Sequence, residues 1–173
     1  LSYAPDGVIT YAEANAVLPF VNNLWTTTLT GAQFTKVLEE QWQLDDKGQV
    51  PSRPYLQLGL SENVFYTYDA AAAQGSHITG VWIDGQPIDP NREYRVGSFN
   101  FLLTGGDNFR TFREGAQTRD SGLVDRDAWI DYLAAHPALT PDFSSRSAQV
   151  SGVPASVVAG EAVTFQVSRF DLT

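Results

Sequence analysis

The chain has no cysteine and no methionine. The first absence excludes a disulfide framework and all thiol chemistry. The second, with an internal-looking Leu1 at the start, leads us to expect a piece of a longer protein or a processed product, any leader or upstream domain lying outside it. Histidine is nearly absent too: His77 and His136 are the only two. Basic residues are scarce, with 11 Lys and Arg against 20 Asp and Glu and a net charge of −9. A surface of that sign repels nucleic acid polymers and anionic bilayers, so neither is an expected partner. No apolar run approaches the ~20 residues that cross a membrane, and no membrane insertion is expected.

What is present suits a packed domain. Hydrophobic residues make up 43% of 173 and charged residues 18%, which argues against a disordered chain. Thr10 and Glu13 form a capping box ahead of Ala14, Val17 and Leu18, and Pro19 stops that helix, leaving Phe20 just past its end. Asn22 to Leu29 is Thr-rich and reads as a strand. Thr30 and Gln33 make a second capping box, with Phe34, Val37, Leu38 and Trp42 at helical spacing behind it. Asp45 to Pro54 is an expected loop, and Tyr55–Leu60 and Val64–Tyr68 read as strands. His77–Ile83 and Gln86–Ile88 flank Asp84-Gly85, a type I′ hairpin signal. Arg92 to Leu103 is predicted as a strand, and Val124 to Ala135 as a helix capped by Asp125 with Trp129, Ile130 and Leu133 inward. The fold class is therefore α+β: a mixed β-sheet domain with about three helices over residues 1–147. Residues 148–173 carry two short alternating segments that resemble the opening strands of an immunoglobulin-like β-sandwich.

Bond-breaking machinery is hard to find in this pattern. Neither histidine has a partner at metal-ligand spacing, so no metal site is expected within the chain. No Gly-x-Ser-x-Gly elbow occurs, and Thr104-Gly-Gly-Asp-Asn108 lacks the Gly-Lys-Ser/Thr ending of a phosphate loop. Asp125, Asp127 and Asp131 are explained by a cap, a first-turn charge and a solvated face. No catalytic residue is assigned.

A binding surface remains. Gly97 to Phe109 reads as an aromatic strand running into a Gly105-Gly106 turn that presents Asp107. Phe20 and Phe101 could flank a flat ring, and Asp107 could accept hydrogen bonds from two vicinal hydroxyls. The same residues also fit a structural role, and pattern alone favours it. Phe99 and Phe101 share a strand face as core residues do, Phe20 could plug a helix end, and Asp107 could cap its turn.

The motifs carry a family resemblance. Gly7-Val-Ile-Thr10, Val17-Leu-Pro-Phe20, Leu29-Thr-Gly31, Leu56-Gln-Leu-Gly59, Tyr68-Asp69 and Asn100-Phe-Leu-Leu-Thr-Gly-Gly-Asp107 occur in that order. Together they resemble the C-terminal domain of the 5′-nucleotidase and UDP-sugar hydrolase family. The resemblance implies a nucleoside-binding domain in a secreted or cell-surface metallophosphoesterase. It implies two divalent metal ions in an N-terminal domain outside this chain, which is the intramolecular partner. Phe20 and Phe101 match the family's base clamp, and Asp107 its ribose ligand. The chain alone would then bind a nucleoside or nucleotide without hydrolysing it. The alternative is a non-catalytic surface module that keeps only the fold. Three departures stand out: the family's Asn-x-Gly-Gly-Ile-Arg segment is absent, two residues are inserted around Ser61–Asn63, and Asn108 replaces a common glycine.

Overall fold

A computed structural model describes residues 7–140 and 147–169. They fall into two compact units, Leu1–Ala135 and His136–Thr173. In the first, both capping boxes form. The Thr10 side chain accepts from Glu13 N and starts α1 (Tyr11–Val17), and Thr30 accepts from Gln33 N and starts α2 (Gly31–Glu39). Ala14 is the buried residue of α1, whereas Val17 is exposed.

Strand β1 (Asn23–Thr30) is central in a three-stranded antiparallel sheet, flanked by β5 (Glu93–Phe99) and β6 (Ala116–Val124). Thr27 and Leu29 point into the core from one face of β1. On the other face the Arg95 guanidinium donates to Thr26, Thr28 and the Gln117 carbonyl, tying all three strands together. A second antiparallel sheet joins β2 (Val64–Tyr68), β3 (Ile78–Ile83) and β4 (Gln86–Pro87). Between β3 and β4, Asp84 and Gly85 take φ of 52° and 73°, the left-handed pair that a type I′ turn requires. Helix α2 packs its Phe34, Val37 and Leu38 against Leu29 of one sheet and Val81 of the other, so one core serves both.

The structure corrects several expectations. The strand read to Leu103 ends at Phe99, and Asn100–Leu103 form a short helix, α3. Trp42 lies beyond α2, in a bridge to Tyr55. Tyr55–Leu60 is no strand apart from that bridge. Its backbone is held instead by the turn after α2: Leu56 N donates to Gln41 O and Leu58 N to the Gln41 side chain, both at 2.9 Å. Strand β6 is unforeseen; it is polar, exposed on both faces and interrupted by register shifts.

Helix α4 (Asp125–Ala135) forms where predicted. Asp125 is buried, however. Its carboxylate accepts from Asn22 Nδ2 at 3.0 Å and from Arg126 N at 2.6 Å. Trp129, Ile130 and Leu133 are only half-buried. In the second unit β7 (Gln149–Ser151) and β8 (Gln166–Ser168) pair antiparallel. Residues 170–173 of the expected extension lie outside the described residues.

Candidate functional site

The end of α3 sets the geometry. Phe101 turns outward and is 48% exposed, while Leu103, two residues on, is buried. The helical turn thus separates Phe101 from Phe99, which a continuous strand would have kept on one face. Gly105 follows at φ 86°, and Gly106 lies directly under the Phe101 ring. A Cβ on Gly106 would stand 2.5 Å from Phe101 Cζ and 2.6 Å from its carbonyl oxygen, so only glycine lets ring and turn approach this closely. The 3-10 turn Gly106–Asn108 then presents Asp107 at φ 50° and ψ 36°, a left-handed conformation that costs a non-glycine residue about 1–2 kcal/mol. Its carboxylate is exposed and has no hydrogen-bond partner among the described residues. Phe101 thus packs on Gly106, the residue next to Asp107.

Phe20 reaches the same end of the sheet by another route. Leu24 of β1 pairs with Phe99 of β5, so the chain before β1 and the chain after β5 leave the ladder at a common end. Phe20 sits in the first of these segments and Phe101 in the second. Phe20 is 81% exposed. Next to it Val21 has φ 55°, an outlier for a β-branched residue. Asn22 holds that turn: its backbone oxygen accepts from Asp125 N at 2.9 Å and its side chain donates to the Asp125 carboxylate. Neither Phe20 nor Phe101 stacks on another aromatic ring among the described residues.

Behind the Asp107 turn lies a polar network that the sequence pattern does not reveal. Glu40, at the end of α2, accepts from Thr111 N at 3.1 Å and from Thr111 Oγ1 at 2.8 Å. Burial raises the Glu40 pKa above its ordinary value, and the Thr111 bonds offset only part of that rise. The folded state thus binds the proton more tightly than the unfolded one, so stability falls as pH climbs from the ordinary carboxyl value through the raised one. Glu40→Gln keeps an acceptor for Thr111 and removes the titration. As pH rises above the ordinary carboxyl range the thermal midpoint of wild type is expected to decline relative to Glu40→Gln; parallel melting curves would contradict the assignment.

His77 has an acidic partner after all. It is buried, its ring lies parallel to Trp42 at 4.0 Å, and its Nδ1 is 3.1 Å from Glu39 Oε2. Glu39 also accepts from Ile78 N, so the pair pins α2 to β3. Among the described residues no group of three His, Cys, Asp or Glu could hold a metal ion. No helix is long and apolar enough to cross a membrane.

Comparison with known proteins matches residues 2–114 to the family described as "5'-nucleotidase, C-terminal domain". That span takes in α1 to Glu114, and β6 and α4 follow it. A 5'-nucleotidase-related protein of Glossina morsitans morsitans is 30% identical over 150 residues, covering 82% of this chain and 26% of that protein. Protein UshA of Yersinia enterocolitica is 29% identical over 133 residues, covering 77% and 22%. The crystal structure of a 5'-nucleotidase precursor from Thermus thermophilus superposes with a TM-score of 0.61 at 29% identity, covering 73% of this chain and 25% of that one. The chain thus spans about a quarter of the length of these relatives. Motif order, fold and a family match over more than half its residues agree that this chain belongs to the C-terminal domain family of the 5′-nucleotidases.

Proposed function

We propose that the chain is the nucleoside-recognition part of a secreted 5′-nucleotidase-like metallophosphoesterase. One observation carries the reading. Two exposed phenylalanines, Phe20 and Phe101, stand at one end of the β1–β5 ladder, and an unpartnered Asp107 is held beside Phe101 in a strained turn. The rings offer free faces to a base, and the carboxylate offers acceptors to the 2′- and 3′-hydroxyls of a ribose. In this reading a separate N-terminal domain carries two divalent metal ions and the phosphate chemistry, and the present chain holds substrate without cleaving it. The β7–β8 hairpin is then the opening of an immunoglobulin-like sandwich.

Calorimetric titration with adenosine tests the site. Base stacking contributes about 1–3 kcal/mol, so Phe101→Ala is expected to weaken binding by about fivefold to over a hundredfold. Asp107→Ala removes charge-assisted hydrogen bonds and is expected to weaken it by about tenfold or more. Equal affinity in wild type and both variants would sink the assignment. Phosphatase activity of the isolated chain with added divalent metal would contradict the division of labour.

A further inference from the structure

We infer that Asn108 is a positioning residue, whose side chain latches the Asp107 carboxylate in place for a vicinal diol. This rests on the nucleoside reading above. Asp107 and Asn108 are consecutive residues in the left-handed region, with φ of 50° and 63°. Glycine would take the second conformation without strain, and asparagine tolerates it better than most residues. Asparagine adds two hydrogen bonds that glycine cannot make. Its Nδ2 donates to Gln43 Oε1 and its Oδ1 accepts from Arg110 Nη2, each at 2.8 Å.

Both partners are themselves fixed. Gln43 is 1% exposed and donates from Nε2 to the Glu40 carbonyl at 2.7 Å. Arg110 donates to the Leu44 carbonyl at 3.0 Å and, through Nε and Nη2, to Asp46 Oδ1 at 3.1 and 2.8 Å. Asn108 is therefore tied to the end of α2 and to the loop that follows it. On the other side of Asp107, Gly106 lies under the Phe101 ring, and the Gly106 carbonyl accepts from Phe109 N at 3.1 Å. Among the described residues, Asp107 is the one member of this turn whose side chain is left unpartnered while its backbone is held from both flanks. A carboxylate so held does not have to be ordered by the ligand, and preorganisation of this kind favours binding of the group it faces. The latch acts on the diol and leaves the base contacts to the phenylalanines.

The test compares adenosine with 2′,3′-dideoxyadenosine, which keeps the base and lacks the diol, by calorimetry on the intact chain. Asn108→Gly keeps the backbone conformation and loses both latch bonds. Its preference for adenosine over the dideoxy ligand is expected to fall about tenfold from the wild-type ratio, with dideoxy affinity held within about twofold. Asn108→Asp, which keeps the acceptor for Arg110 and loses the bond to Gln43, is expected to fall between them and serves if the glycine variant does not fold. An unchanged ratio in a folded variant overturns the inference while leaving the nucleoside site intact. So does equal loss of both ligands, because a merely structural latch would weaken them together. Wild-type chain that binds neither ligand overturns the nucleoside reading, and the latch with it.

Discussion

Alanine in place of Phe109 is expected to remove about 3–5 kcal/mol of stability, the range for deleting a buried aromatic ring. Phe109 is 2% exposed and packs in the cluster that contains Leu29, Leu38 and Leu103. Its ring lies 6.5 Å from that of Phe112, and the two anchor the irregular segment between α3 and β6 from below. Neighbours from two strands and two helices cannot all close on the gap, so part of the cavity persists. The measurement is urea unfolding followed by tryptophan fluorescence. All four tryptophans lie in the Leu1–Ala135 unit, so the signal reports on that unit. A loss below about 1 kcal/mol would show that the segment repacks freely. The Phe109 ring also anchors the turn that carries Asp107, so the variant is expected to lose adenosine affinity at denaturant concentrations where it is still folded.

The second large effect is expected at Gln41, which is fully buried. Its Nε2 donates to the Leu38 carbonyl and its Oε1 accepts from Leu58 N, each at 2.9 Å. Gln41→Leu leaves Leu58 N without its acceptor, whereas the Leu38 carbonyl keeps the Gln41 backbone N–H at 3.3 Å. An unsatisfied backbone donor of this kind costs about 1–3 kcal/mol, and a loss in that range is expected in the same urea experiment. Amide exchange sharpens the test. Leu58 N–H should exchange faster in the variant than in wild type, whereas the β1–β5 ladder amides should shift only with global stability. Unchanged protection at Leu58 would mean that another acceptor replaces Gln41.

These two residues also show where reading the sequence succeeds and where it stops. Helix starts at Thr10 and Thr30 were legible because a capping box is a contact between residues three apart. The Asp84-Gly85 turn was legible for the same local reason. Tyr55–Leu60 alternates like a strand, yet a glutamine side chain from the end of α2 supplies part of the bonding that a neighbouring strand would have supplied. Strand β6 went unread because its residues show no apolar period. Main-chain pairing holds it together with side-chain ties such as Thr27 to Thr118 and Asn23 to Asp120, contacts that exist only once the fold has formed. At the site, the glycine turn and the exposed acid follow from local chemistry. The partners of Asn108 do not, since Gln43 lies 65 residues earlier in the chain.

The position of β1 has a kinetic consequence. Its neighbours on both sides come from much later in the chain: Thr30 pairs with Glu93, and Leu24 with Leu123. During synthesis β1 is therefore made long before either strand that will flank it, and non-local pairings of this kind close slowly. While it waits, Trp25-Thr-Thr-Thr-Leu29 carries more hydroxyls than large apolar groups, a composition that limits sticking between unfinished chains. The segments that carry Phe20 and Phe101 reach one end of the ladder only when β5 pairs with β1.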